Sequence, residues 1–236
     1  KRINELLATK EVDGIVITHG NDPACRHLAE SSCRRFVDAD RVPLPQLTVP
    51  GVHMQHNARL VVALADVLSL DRSIVFTALR RFRGTWRRME HIGTTVHGVP
   101  VIDDYAHHPV EIAATVEAER SAHPLQRIVA VFQPHTHHRT LTLYDAFTTS
   151  FRGIDLLLIP GVYEARAEIE TAGTVDIVAF AKDIAEGSGV EVRVTDGLDA
   201  TRELLEHSIL QPNDLLLVMG AGDVTTLARG IVMKRE

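Results

Sequence analysis

The segment GVPVIDDYAHHPVEIAATVEAERSAHPLQRIVAVFQPHTHHRT, Gly98–Thr140, decides the architecture. Val99–Asp103 and Arg127–Phe132 are β-branched or aliphatic nearly throughout, as strands buried on both faces must be. Between them Val110–Ala122 reads as a helix, and strand–helix–strand is the unit of a parallel sheet. The alternation continues outward. Further strands are predicted at Asp155–Ile159, Glu191–Val194 and Asp214–Met219, and helices at Leu141–Phe151, Val175–Ala185, Asp199–His207 and Val224–Val232. This predicts a doubly wound, mostly parallel α/β sheet over residues 95–236.

Upstream the pattern is shorter and less regular. Ile3–Leu7 reads as helical, Gly14–Thr18 as a buried strand, and Ala24–Ser31 as a helix with Asp22 as N-cap and Pro23 at its first position. Val42–Pro50 holds three prolines and must be extended or looped. Leu60, Val61, Leu64, Val67 and Leu68 repeat at the spacing of a helix over residues 53–70. A second helix runs from Asp71 to Arg81, Gly84 ends it, and Arg87–His97 forms a strand and connector. The module boundary is expected near 92–98, giving a smaller α/β module over 1–94 and a full one over 95–236.

Composition narrows the function classes. A 236-residue chain that is 45% hydrophobic and 24% charged is globular rather than disordered. Its formal net charge of -6 disfavours a nucleic-acid partner. No apolar run approaches the roughly 20 residues of a membrane span, so no membrane partner is expected. The opening KRINELLATK is charged and amphipathic, unlike a signal peptide. No initiator Met heads it, so the chain is expected to begin inside a longer protein or to have been processed. Cys25 and Cys33 lie in or beside one helix without finger spacing and read as reduced thiols of a cytoplasmic protein.

The 13 histidines cluster, and the clusters fall where chemistry belongs. Open α/β sheets bind ligands beyond the carboxyl ends of their strands. DDYAHHP (Asp103–Pro109), FQPHTHHRT (Phe132–Thr140), GVYEAR (Gly161–Arg166) and MGAGD (Met219–Asp223) all follow strands. Asp103 and Asp104 leave a buried strand as paired carboxylates able to accept ribose hydroxyls, hold a cation or cap a helix. His107, His108, His135 and Arg139 supply donors for a carboxylate or an oxyanion. The glycines of MGAGD suit either backbone approach to an anion at a helix N-terminus or a tight turn. The five imidazoles of His107, His108, His135, His137 and His138 also offer the donors of a zinc hydrolase. Trp86 and Tyr163 read as packing residues, and Arg87–Arg88 as either functional or a solvated basic pair.

Taken in order, PGVHMQHNA (Pro50–Ala58), FRGTWRRME (Phe82–Glu90), VIDDYAHHPVEI (Val101–Ile112), VFQPHTHHRT (Val131–Thr140) and VMGAGD (Val218–Asp223) resemble the Mur ligases over essentially the whole chain. DDYAHHP followed by FQPH and Arg-Thr resembles the members that join L-alanine to UDP-N-acetylmuramate rather than those that recycle a tripeptide. The resemblance implies a Rossmann-like C-terminal domain preceded by part of a central α/β ATP-binding domain. It implies ATP and Mg2+ as cofactors, with the metal ligands in a segment ahead of this sequence, and no metal ligand among the residues named here. The GxxxxGK[ST] loop and the UDP-sugar domain of the family have no counterpart in this sequence, so the chain alone is expected to be inactive.

Carried over by position, His53 and Asn57 would lie against adenine, Arg88 would contact ATP phosphate and Asp104 would hold the ribose. Tyr105, His107, His135 and Arg139 would form the alanine end, with Arg88, His107, His135 and Arg139 acting in catalysis. Arg139 is the residue suited to the alanine carboxylate, because a guanidinium fork matches it bidentately. Two positions depart from the family pattern: Met54 stands where Asn is usual, and Thr136 where Arg is common. His137 or His138, protonated, would be the replacement for that missing cation. A non-catalytic nucleotide-binding module is the remaining alternative.

Overall fold

The computed structural model describes residues 14–32, 34–163 and 173–233. The predicted helix Ile3–Leu7 and Cys33 lie outside the described residues, as do the last three residues of GVYEAR. The chain divides into two compact units, Lys1–Arg83 and Gly84–Glu236.

In the first unit, β1 (Ile15–Thr18) pairs in parallel with β2 (Arg35–Asp38), Ile15 opposite Arg35 and Thr18 opposite Asp38. β2 escapes sequence reading because RFVD is four residues long with a charge at each end. Neither strand is buried on both faces, so Gly14–Thr18 is not the buried strand expected. Helix α1 (Pro23–Ser31) starts as predicted, with Asp22 Oδ1 accepting the Cys25 N–H at 2.8 Å and Pro23 at the first turn. α2 (Val52–Val67) and α3 (Arg72–Arg81) follow. Val62 and Ala63 of α2 pack with Ala39 and Val42 into a small core, to which Ile17 and Val37 contribute.

The second unit is a six-stranded sheet in the order β3–β4–β8–β5–β6–β7. Its strands are β3 (Glu90–Thr94), β4 (Pro100–Asp104), β5 (Ile128–Phe132), β6 (Leu156–Ile159), β7 (Glu191–Val194) and β8 (Leu215–Met219). Only the β3–β4 pairing is antiparallel. The second unit therefore begins at Gly84 rather than near residue 95, because β3 hydrogen-bonds to β4 and belongs to this sheet.

Strand alternation splits the core in two. Ala130 and Phe132 of β5 face one layer with Ile112 and Val116 of α4 (Pro109–Ala122). Phe147 of α6 (Tyr144–Thr148) and Phe180 of α7 (Ile177–Ser188) complete that layer, after the short α5 (His137–Thr142). Val129 and Val131 face the other layer, with Leu205 after α8 (Gly197–Leu204) and Leu227 of α9 (Val224–Ile231). The sheet is doubly wound, as predicted. The helix expected over 141–151 is instead two short ones, the first beginning at His137 because Thr136 caps it.

Candidate functional site

β8 lies between β4 and β5, so the chain reverses its winding at this point and the ends of three strands meet. A crevice at such a reversal is where doubly wound sheets bind ligands. Asp103–Asp104, Gln133–His135 and Gly220–Asp223 arrive there from β4, β5 and β8.

The adjacent arginines at the entry to this unit have different fates. Arg87 adopts φ +52° and is 3% exposed. Its Nε donates to Asp103 Oδ1 at 3.3 Å, its other nitrogens donate to the carbonyls of Gly220 and Gly222, and its own carbonyl accepts the Tyr105 N–H at 2.7 Å. Asp103 completes its pairing by accepting from Thr225 Oγ1 at 2.6 Å. Arg87 is thus an internal clamp, not half of a solvated pair. Arg88 is exposed, 3.7 Å from Glu111 and with its guanidinium 5.4 Å from the centre of the Tyr105 ring. Trp86, expected to be packed, is 67% exposed.

Consecutive strand residues face opposite ways, so Asp104 points away from Asp103. Its carboxylate is 2% exposed and accepts the N–H groups of Met89 at 2.7 Å and Ala106 at 2.6 Å. Burial raises its pKa, against the lowering by those two N–H groups. The pair of open carboxylates expected at this strand end is therefore two buried ones, each holding a different turn.

Beyond β4 and β5 four rings stand in a row. Tyr105 and His107 lie 5.3 Å apart, His107 and His135 6.0 Å, and His135 and Tyr163 5.5 Å, all partly exposed. His107 Nδ1 is 3.0 Å from the Tyr105 carbonyl and 3.4 Å from Glu111 Oε2, both acceptors. The ring therefore carries its proton on Nδ1 when neutral and presents the Nε2 lone pair.

Thr136 N-caps α5, its Oγ1 accepting the Arg139 N–H at 3.4 Å. It does so at φ +64°, which a β-branched residue rarely adopts. This places Arg139 in the first turn of α5, half-exposed, with no side-chain hydrogen bond or ion pair among the described residues. His137 does not supply the missing cation as described, since its Nδ1 accepts the Val175 N–H at 3.1 Å, which a protonated ring does not do. His108 is likewise a cap, its Nδ1 accepting the Val110 N–H at 3.3 Å. Among the described residues no three His, Cys, Asp or Glu side chains form a metal-binding group.

The glycines of MGAGD serve packing. A methyl group on Gly220 would stand 2.8 Å from the Gln133 carbonyl, and one on Gly222 would stand 2.5 Å from Tyr163 Cγ. The start of α9 is held by Gln133, whose Oε1 accepts the Val224 N–H at 3.1 Å and whose Nε2 donates to Asp223 at 2.8 Å. Arg87, Gln133 and Tyr163 are thus site-building residues that sequence reading did not single out as such. The only signal was the glycine spacing, which reports a crowded backbone without naming what crowds it.

In the first unit, His53 and Asn57 occupy one face of α2, half-buried and exposed respectively. His56 on the same turn lies 5.0 Å from the His19 ring, whose Nδ1 is 2.7 Å from Asp40 Oδ1. That hydrogen bond is the largest cause of the lowered Asp40 pKa.

The family model of the Mur ligase glutamate ligase domain matches residues 87–222. A UDP-N-acetylmuramate–L-alanine ligase of Desulforamulus reducens is 39% identical over 202 residues, covering 85% of this chain and 42% of that protein. The solved UDP-N-acetylmuramate–alanine ligase of Thermotoga maritima superposes with a TM-score of 0.68 at 25% identity, over 92% of this chain and 50% of that one. Folylpolyglutamate synthase of Mycobacterium tuberculosis shares the fold, with a TM-score of 0.65 at 15% identity, over 96% of this chain and 57% of that one. The chain spans less than half the length of the curated relatives it matches.

Proposed function

Since the chain belongs to the Mur ligase family, we propose that it is the C-terminal part of an ATP-dependent ligase that joins L-alanine to UDP-N-acetylmuramate in peptidoglycan precursor synthesis. Residues 1–83 would be the end of the central ATP-binding domain and residues 84–236 the C-terminal domain. The observation that carries the reading is the row of rings at the switch point, with the Arg88 guanidinium 5.4 Å from the Tyr105 ring at one end and Arg139 four residues after His135 in the first turn of α5.

Arg88 would meet ATP phosphate, where an exposed guanidinium can face spread negative charge. ATP supplies the phosphoryl group that gives the lactyl carboxylate a leaving group. His53 and Asn57 would take the adenine end, being polar and on one helix face. Asp104 fits a ribose less directly, since both oxygens already accept backbone N–H groups and only their remaining lone pairs are left. Mg2+ would be held by the portion of the family that carries the P-loop.

At the other end, the Arg139 fork would take the alanine carboxylate. The incoming amine must shed a proton to attack, and the Nε2 lone pair of His107 would accept it. His135 beside it would donate to the oxygen that gains charge in the tetrahedral intermediate. Tyr105 would wall the amine side. Positioning and charge stabilisation do most of the work in this class of reaction. No helix among the described residues is long and apolar enough to cross a membrane. A cytoplasmic location follows from the nucleotide substrates.

The test is phosphate release by the ligase that contains this chain, or by a chimera joining it to the uncovered part of the Desulforamulus reducens relative. ATP, Mg2+, UDP-N-acetylmuramate and L-alanine are omitted in turn. Release that requires all four supports the reading. Release indifferent to L-alanine, or driven by a tripeptide in its place, rejects it.

A further inference from the structure

We propose that Tyr163 is the positioning residue of His135, and that the Gly220–Asp223 loop sets the placement of that imidazole through the Tyr163 ring. The proposal deepens the reading above, since it takes His135 to belong to the amino-acid end of the site.

The backbone of Tyr163 grips the chain on both sides of His135. Tyr163 N donates to the Pro134 carbonyl at 2.8 Å, and Thr136 N donates to the Tyr163 carbonyl at 3.0 Å, so His135 and Tyr163 form a parallel bridge. This bridge extends the β5–β6 pairing past the strand ends into the site. The side chains then meet, with centroids 5.5 Å apart and planes tilted by 35°. Such an aromatic pair restricts an imidazole without consuming either of its nitrogens.

The same phenol ring meets the glycine loop. An added Cβ at Gly222 would fall 2.5 Å from Tyr163 Cγ, 2.8 Å from Cδ2 and 2.6 Å from Gln133 Oε1, so the loop backbone lies directly on the ring. That loop is in turn fixed by Arg87, which donates to the carbonyls of Gly220 and Gly222. A displacement of the Gly220–Asp223 loop therefore reaches His135 through one intervening ring. No hydrogen bond to the Tyr163 hydroxyl occurs among the described residues, so the ring, not the oxygen, does the positioning.

The experiment has two arms. In the chain itself, labelled with 15N-histidine, imidazole spectra are recorded for Tyr163→Phe, Tyr163→Leu and Gly222→Ala, with His135 assigned by His135→Gln. Tyr163→Leu and Gly222→Ala are expected to move the His135 signals and leave those of His97, which lies elsewhere against the Glu206 carbonyl, in place. Tyr163→Phe is expected to keep them. In the ligase, Tyr163→Leu is expected to raise the KM for L-alanine about tenfold with the KM for ATP within about twofold, and Tyr163→Phe to restore it. Unmoved His135 signals in both Tyr163→Leu and Gly222→Ala overturn the proposal. So does a Phe variant as impaired as the Leu variant, since the hydroxyl would then be the acting group. A wild-type ligase that ignores L-alanine would instead reject the functional reading, and the spectra would still decide the positioning role.

Discussion

Arg87 Nε lies 3.3 Å from Asp103 Oδ1 with both side chains shut away from solvent, while the next residue, Arg88, stands exposed beside Glu111. The left-handed backbone at Arg87 turns one guanidinium inward and leaves its neighbour outside. Removing one partner of a buried pair strands a charge, which costs about 3–5 kcal/mol. Arg87→Ala should lower the unfolding free energy of residues 84–236 by about that amount, read from denaturant melts. A loss below about 1 kcal/mol would mean the clamp is not made.

Arg88 makes a long, solvent-screened ion pair and an exposed cation–π contact with Tyr105, so Arg88→Ala should lower stability by no more than about 1 kcal/mol. In the proposed ligase the same change should cut turnover by about 100- to 1000-fold, as expected for loss of a charge-stabilising donor. Unimpaired turnover would remove Arg88 from the phosphate end.

Thr136 combines a useful side chain with an unfavourable backbone. Its φ of +64° and ψ of 142° belong to a region that is nearly glycine-only and costs on the order of 1–3 kcal/mol for other residues. Glycine is almost as good an N-cap as threonine, whereas alanine is not. Thr136→Gly should therefore stabilise the second unit by about 1 kcal/mol, and Thr136→Ala should destabilise it by a similar amount. Equal melting curves for the two variants would contradict this conformation.

Glu119 on α4 is 3% exposed, and burial, aided by the Asp104 charge, raises its pKa from the ordinary 4.5 to about 7. Between those values the folded chain holds a proton that the unfolded chain has released. Stability should thus be full below about pH 4.5, fall as pH rises, and level off above about pH 7. The whole loss is about 3 kcal/mol. Glu119→Gln should abolish the slope, matching wild type near pH 4.5 and exceeding it at pH 8. Parallel pH profiles for the two proteins would sink this account.

The central strands β5, β6 and β8 were legible because a strand covered on both faces is apolar nearly throughout, and all three are buried along their length. Helix starts were legible where a cap residue announces them, as Asp22 does before Pro23. β2 was not legible, since its four residues carry charge at both ends and gain burial only from the structure around them. The start of α5 was hidden for a related reason: nothing local says that Thr136 takes a positive φ.

For the site, the sequence determined which residue types stand at the strand ends, because a strand's carboxyl terminus follows from where its apolar run stops. That sufficed to gather Tyr105, His107, His135 and Arg139 as candidates. Only the tertiary structure decided what each of two neighbours holds or leaves open to solvent. Asp103 and Asp104, like Arg87 and Arg88, are chemically alike in sequence. Their roles differ by strand parity in one case and by a single backbone torsion in the other. Partners brought in from β8 and α9, more than 100 residues away along the chain, then fix each choice.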